Sequence, residues 1–187
     1  MNLRNKIKTA LKKYLSENMG HDSIREMVLN ASDWDDIVLA IEKQYGEVVP
    51  LYHATTIENS EIIDREGFKL VHGKNYKSFS SDPFLYFQLG KSDYVSTNRP
   101  VLYKLEVPLE FLSYCDVDMD NVDIDDSEIS KYVDMEYWDD IPYETRDAIT
   151  YFIWNNFELD GMELILYNRT DLPDEELFRG VKITKIQ

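Results

Sequence analysis

Apolar positions near the start of the chain recur at helical spacing. Leu3, Ile7, Ala10, Leu11 and Leu15 fall on one face, and Arg4, Lys6, Lys8, Lys12 and Lys13 lie off it, which predicts an amphipathic helix with a basic side. Asn18-Met19-Gly20 interrupts the pattern. Asp22 or Ser23 can cap a short helix carrying Ile24, Met27 and Val28. Ser32, three residues before Asp35, opens a longer helix in which Trp34, Ile37, Val38 and Ile41 share a face, and Gly46 ends it.

From residue 48 the period changes. Val48–His53 is short and β-rich, and predicts a strand. Thr55 and Glu58 have capping-box spacing for a helix that carries Ile62 and Ile63 and stops at Gly67. Phe68–Val71 and Ser78–Ser80 read as short strands. Asp82-Pro83 then reads as the start of a helix over Phe84–Leu89. Residues 100–108 alternate from Leu102 onward and close on Pro108, the clearest strand signal in the chain. Tyr143–Phe157 predicts a helix with Ile149, Phe152, Ile153 and Phe157 as its buried stripe, and Met162–Tyr167 and Val181–Ile186 predict strands. The resulting division is a helical segment over 1–47 and an α+β domain over 48–187.

Composition narrows the possible partners. Hydrophobic residues make up 43% of the 187 and aromatics 13%, enough for a substantial core. The net charge is −16, which disfavours nucleic acid except through a local basic patch. Residues 1–13 are such a patch, with five cations and no acid. Cys115 is the single cysteine, so no intrachain disulfide can form and a reducing compartment fits. No apolar run follows the basic start, and none approaches the ~18 residues of a membrane span. These features lead to the expectation of a soluble, cytoplasmic protein without membrane contact.

Several common chemistries lack their residues. The seven glycines are scattered, so no phosphate-cradling loop is present, and no nucleophile elbow occurs. His21, His53, His72 and Cys115 lie in unrelated segments and do not make a zinc site. Residues 116–140 hold 11 acids and one lysine, and Asp116, Asp118 and Asp120 alternate as in a calcium loop. The sixth position of that loop is Asn121 rather than glycine, and the twelfth is Ser127 rather than glutamate. The stretch is therefore read as a solvated acidic edge or loop, with no metal.

Three pieces occur in a suggestive order. They are Leu51-Tyr52-His53-Ala54-Thr55-Thr56 followed by Gly67-Phe68, then Ser78-Phe79-Ser80-Ser81-Asp82-Pro83, then Glu163-Leu164-Ile165-Leu166. Together they resemble the ADP-ribosyltransferase superfamily, between its His-type and Arg-type subgroups, over residues 48–187. The resemblance implies two small packed β-sheets forming a cleft, with NAD as substrate. It implies that Glu163 stabilises the ribose cation and His53 holds the adenosine-side ribose, with the backbone of Ala54 gripping the nicotinamide amide. Thr55 and Ser80 would orient ribose or glutamate through their hydroxyls, and Phe79 or Tyr86 would stack on nicotinamide. The acceptor would be a macromolecule, protein or nucleic acid, contacted in the second case by the basic helix 1–15.

Plainer readings stand beside these. His53 serves equally as a hydrogen-bonded structural residue, Thr55 as a helix cap, Ser80 as a strand hydroxyl, Tyr86 as core and Glu163 as a solvent-facing acid. The rival function is that of a non-enzymatic acidic binding or inhibitor protein, a nucleic-acid mimic that uses residues 116–140.

Overall fold

The helices before residue 48 are defined by their caps. In the computed structural model, which describes residues 24–70, 84–93, 95–167 and 173–187, α1 spans Ile24–Leu29 and α2 spans Trp34–Tyr45. The cap of α2 is Asp33, whose carboxylate accepts from the Asp36 N–H at 3.2 Å. Ser32, the expected cap, sits one residue earlier and donates its N–H and O–H to the Asp36 carboxylate at 3.0 and 2.8 Å. A carboxylate here also complements the positive end of the helix dipole. Ile37, Ala40 and Ile41 of α2 are buried in the same hydrophobic cluster as the strands. The expected basic helix over 3–15 lies outside the described residues.

The strands are β1 (Val48–Thr55), β2 (Phe84–Leu89), β3 (Val101–Pro108), β4 (Cys115–Val117), β5 (Glu163–Tyr167) and β6 (Lys182–Lys185). They form one six-stranded sheet in the order β4-β5-β2-β1-β3-β6, with every pairing antiparallel. The fold is α+β, as expected. The two packed sheets expected from the resemblance are, among the described residues, a single sheet, because each strand finds its partner laterally. The expected helix over Phe84–Leu89 is strand β2. Its five residues Phe84–Gln88 are opposite Tyr167–Glu163, and a run of six residues with three aromatics gains more from that ladder than from little more than one helical turn.

Other boundaries move for local reasons. Strand β1 runs through Thr55, which is opposite Val101. The cap of α3 (Ile57–Glu66) is therefore Thr56, accepting from the Asn59 N–H at 3.1 Å, and the expected Thr55–Glu58 box does not form. Phe68–Leu70 is not a strand; Phe68 and Leu70 bury their side chains in the core without a ladder. Helix α5 spans Tyr143–Trp154, ending before Phe157, because Asn156 and Phe157 adopt left-handed φ of 55° and 66°. The acidic stretch is not a solvated loop throughout. It contains β4 residues, the short α4 (Asp126–Ile129) capped by Asp125, and buried Ile129 and Trp138. A last short helix, α6, spans Asp174–Leu177.

Strand alternation gives the sheet two unlike faces. Val49, Leu51, Phe87, Leu89, Leu105, Val107, Leu164, Leu166, Cys115 and Val117 occupy one face, and all are buried. They join Ile37, Ala40 and Ile41 of α2 and Ala148, Ile149 and Phe152 of α5 in a single core. Polar side chains are concentrated on the other face.

Candidate active site

The ladder registers place a row of functional groups across that polar face. Glu163 is opposite Gln88, Gln88 opposite Tyr52, Tyr52 opposite Lys104, and Lys104 opposite Thr184. Residues directly opposite in antiparallel strands project to the same side and contact one another. Glu163 is only 9% exposed, and its Oε2 accepts from Asn121 Nδ2 at 3.3 Å. Burial pushes its carboxyl above the ordinary glutamate value. Gln88, 4% exposed, accepts the Asp93 N–H at 2.9 Å through Oε1. The Asp118 N–H donates to the Glu163 carbonyl at 2.9 Å, which carries the β4–β5 pairing one residue past Val117. Asp118 therefore lies on the Glu163 side, 7% exposed, accepting the Asp120 N–H at 3.0 Å. Burial raises its carboxyl as well, more than the Asp120 N–H lowers it.

A second feature is a split in the sheet. Pairing between β1 and β2 is confined to Leu51 with Leu89 and Tyr52 with Gln88. Yet β1 stays paired with β3 to Thr55, and β2 with β5 to Phe84. Beyond Tyr52 the two central strands therefore share no ladder. The Gly90 N–H donates to the Pro50 carbonyl at 2.9 Å, so by alternation the backbone groups of Pro50, Tyr52 and Ala54 point toward β2. The Leu89 N–H donates to Met162 of the β5 side, which by the same alternation turns the Tyr86 carbonyl toward β1. The N–H and C=O of Ala54 are thus directed into the split, facing Tyr86.

His53 bridges this gap. Its Nδ1 lies 2.8 Å from the Tyr86 carbonyl oxygen, and since a carbonyl only accepts, Nδ1 carries the hydrogen. The ring meets Phe68 edge-on at 5.4 Å and Phe87 at 5.8 Å. Burial among these rings lowers the imidazole pKa; the bond to Tyr86 opposes that shift, and the charge of Arg99 adds to it. In the neutral ring Nε2 is then the acceptor.

The geometry joins some of the expected site residues and separates others. His53 and Thr55 lie on the apolar face and Glu163 on the polar face, so neither reaches Glu163 directly. Their side chains alternate with Tyr52 and Ala54, and it is this second pair that shares the glutamate's side. Thr55 is 4% exposed and does not orient the glutamate. Tyr86 is on the Glu163 face, its ring 5.2 Å from Phe84. Phe79 and Ser80 lie outside the described residues. Gln88 was not singled out from sequence; Tyr52 entered only as part of the first motif, and Asp118 and Asn121 only as positions of the rejected calcium loop. Only the Asp-Val-Asp alternation over 116–118 hinted that the acids there face one way.

Comparison with known proteins is silent. No family model, curated protein or solved structure matches this chain. Among the described residues no group of three or more His, Cys, Asp or Glu is placed to hold a metal ion, and no helix is long and apolar enough to cross a membrane.

His53 gives the site a pH signature. Its folded pKa is depressed, so the unfolded chain takes up a proton first as pH falls below about 6.5. Stability present above that value is lost as pH drops toward the folded pKa. Unfolding titrations of the parent should therefore fall more steeply below pH 6.5 than those of His53→Gln, by up to about 1.4 kcal/mol per pH unit. Glu163 and Asp118 have the opposite sign, with raised folded values, but they are common to both proteins and cancel in the difference. Parallel curves would mean that His53 does not titrate in this range.

Proposed function

We propose that this protein transfers ADP-ribose from NAD to a macromolecular acceptor, with the β1–β2 split as the nicotinamide slot and Glu163 as the acid that promotes cleavage. The observation that carries the reading is that, among the described residues, Ala54 is the first β1 position turned toward β2 without a ladder partner there, beside a buried carboxylate on the adjoining face. A carboxamide has one N–H donor side and one C=O acceptor, as a peptide unit does. Nicotinamide can therefore take the place that a β2 residue leaves open beside Ala54. Glu163 is two strands across and two residues along, about 12 Å at the backbone by ordinary strand spacing and rise, a gap that a glutamate side chain and a ribose ring together cover.

The chemistry follows from charge. As the bond from ribose C1′ to nicotinamide nitrogen breaks, its electron pair leaves with nicotinamide and positive charge grows on the ribose. A fixed carboxylate in a water-poor site stabilises that charge more than the ground state, and this difference is what accelerates the step. Tyr52 and Gln88, in the same row, offer a hydroxyl and an amide to the ribose oxygens. His53 acts from behind the split as a positioning residue: it satisfies the Tyr86 carbonyl so that the strands can remain apart without an orphaned buried acceptor.

The test is incubation of the full chain with NAD labelled in the adenine ring, in a cell lysate, counting protein and nucleic-acid fractions separately. Label fixed in one fraction supports the reading and names the acceptor class. If NAD is neither bound nor consumed while the chain retains a basic partner from the same lysate, the acidic binding-protein reading replaces it.

A further inference from the structure

Two acids lie side by side on the polar face, and the reaction proposed above gives work to only one of them. We infer that Asp118 is the general base that takes the proton from the acceptor nucleophile. The inference rests on the ADP-ribosyl transfer reading.

Geometry supports it first. The Asp118 N–H bond to the Glu163 carbonyl makes these two residues direct cross-strand neighbours, with side chains on the same face. Cβ atoms in such pairs are about 5 Å apart. A carboxylate at that separation can serve a second atom attacking the same ribose carbon without competing for the position Glu163 occupies. The Asp120 N–H occupies Oδ1 of Asp118 and fixes the carboxylate plane, which leaves Oδ2 for a proton.

Energetics point the same way. Like acids placed directly opposite one another on a sheet destabilise it, and both are more than nine-tenths buried. A fold that needed only a soluble edge would place such groups outward, as it does with Asp134 and Glu136 in the same acidic stretch. Burial raises the carboxyl of each residue, and groups held in that condition cluster at reactive sites.

The step balances. The electron pair of the C1′–N bond departs on nicotinamide, the acceptor oxygen or nitrogen forms its bond to C1′, and the acceptor proton passes to Asp118. The acceptor class follows: a nucleophile that still holds its proton at neutral pH, such as a hydroxyl or guanidinium group, rather than a thiolate or carboxylate.

The experiment uses the full chain, adenine-labelled NAD and the lysate fraction that accepts label, with water as the competing acceptor. The readout is the ratio of acceptor-bound label to free ADP-ribose. Asp118→Asn keeps an oxygen for the Asp120 N–H and should lower that ratio at least tenfold. Asp118→Glu should recover part of it. Added formate should raise transfer by Asp118→Ala severalfold, which a purely structural role would not produce. Should Asp118→Asn not fold, the glutamate and formate arms carry the test. A parent that transfers label while the ratio is unmoved in Asp118→Asn, or formate has no effect on Asp118→Ala, overturns the role of Asp118 alone. A parent that leaves NAD intact overturns the transfer reading and this inference with it.

Discussion

Glu163→Gln is expected to lower ADP-ribosyl transfer on the order of a hundred- to a thousand-fold while raising the melting temperature. Removing one preorganised group that faces developing charge typically costs about 2.7–4 kcal/mol of transition-state stabilisation. NAD affinity should change far less, because the proposed reading seats nicotinamide at the β1–β2 split and assigns the carboxylate to the charge that develops on cleavage. The stability effect has the opposite sign. Burial raises the Glu163 carboxyl in the folded chain, so folded protein holds that proton to higher pH than unfolded protein does. The stabilisation is full at low pH and is lost as pH rises through the folded value. At pH 7 the native glutamate thus burdens the fold, and glutamine removes the burden. Each kcal/mol regained is worth about 2–4 °C in a chain of this size. Melts at pH 7 and pH 4 should show the variant's advantage only at the higher pH. A variant that melts lower than the parent and transfers as fast would make Glu163 a structural residue.

Gly90→Ala should produce the largest loss of stability, about 3–5 kcal/mol, or on the order of 10 °C in Tm. Gly90 follows β2 with φ of 73° and donates its N–H to Pro50, anchoring the paired end of β1 and β2 below the split. A Cβ there would overlap the Asp160 Oδ1 and the Tyr45 hydroxyl, which are hydrogen-bonded to each other. Gln44 Nε2 also donates to that Asp160 oxygen, at 3.1 Å. Burial and the Asp160 bond push the Tyr45 hydroxyl pKa well up, so it remains a donor under all ordinary conditions. Alanine must therefore break or displace this link as well as adopt a left-handed backbone. Gly46→Ala separates the two costs. Gly46 has φ of 83° but nothing within 4 Å of its added carbon, so only the backbone strain of roughly 1–2 kcal/mol applies. Denaturant midpoints for the two variants would settle the comparison; equal losses would remove the Tyr45–Asp160 contact from the account.

Local signals were legible where their cause is local. The alternation from Leu102 to Pro108 is a two-residue period, and it became β3. The spacing of Ile37 and Ile41 is a helical period, and glycines at 46 and 67 close helices because a positive φ costs them little. Single caps could not be settled so finely. Ser32 or Asp33, and Thr55 or Thr56, are adjacent residues of equal capping ability; how far β1 extends along β3 decided the second pair. The strand over Phe84–Leu89 was hidden for a related reason. Six residues after Asp82-Pro83, all aromatic or aliphatic but Gln88, suit either period, and only Glu163–Tyr167, more than seventy residues later, supplies the ladder that selects one.

The candidate site divides along the same line. The sequence by itself determined that His53 lies in a β-rich run and that Glu163 opens an apolar strand, but not that the first strand continues through Ala54 to Thr55. Within each strand it also determined which residues alternate. It could not determine how the alternation of one strand is phased against another, because that phase is set by hydrogen-bond register between segments with no fixed spacing along the chain. Tertiary pairing of Tyr52 with Gln88 and of Gln88 with Glu163 set it, turning Tyr52 and Ala54 toward the glutamate and His53 away. Pairing that stops after Tyr52 opened the split, and one further backbone bond from Asp118 brought a second acid beside the first. A one-residue slip would have reversed each of these outcomes without altering any local pattern, since side chains in a strand change face at every step.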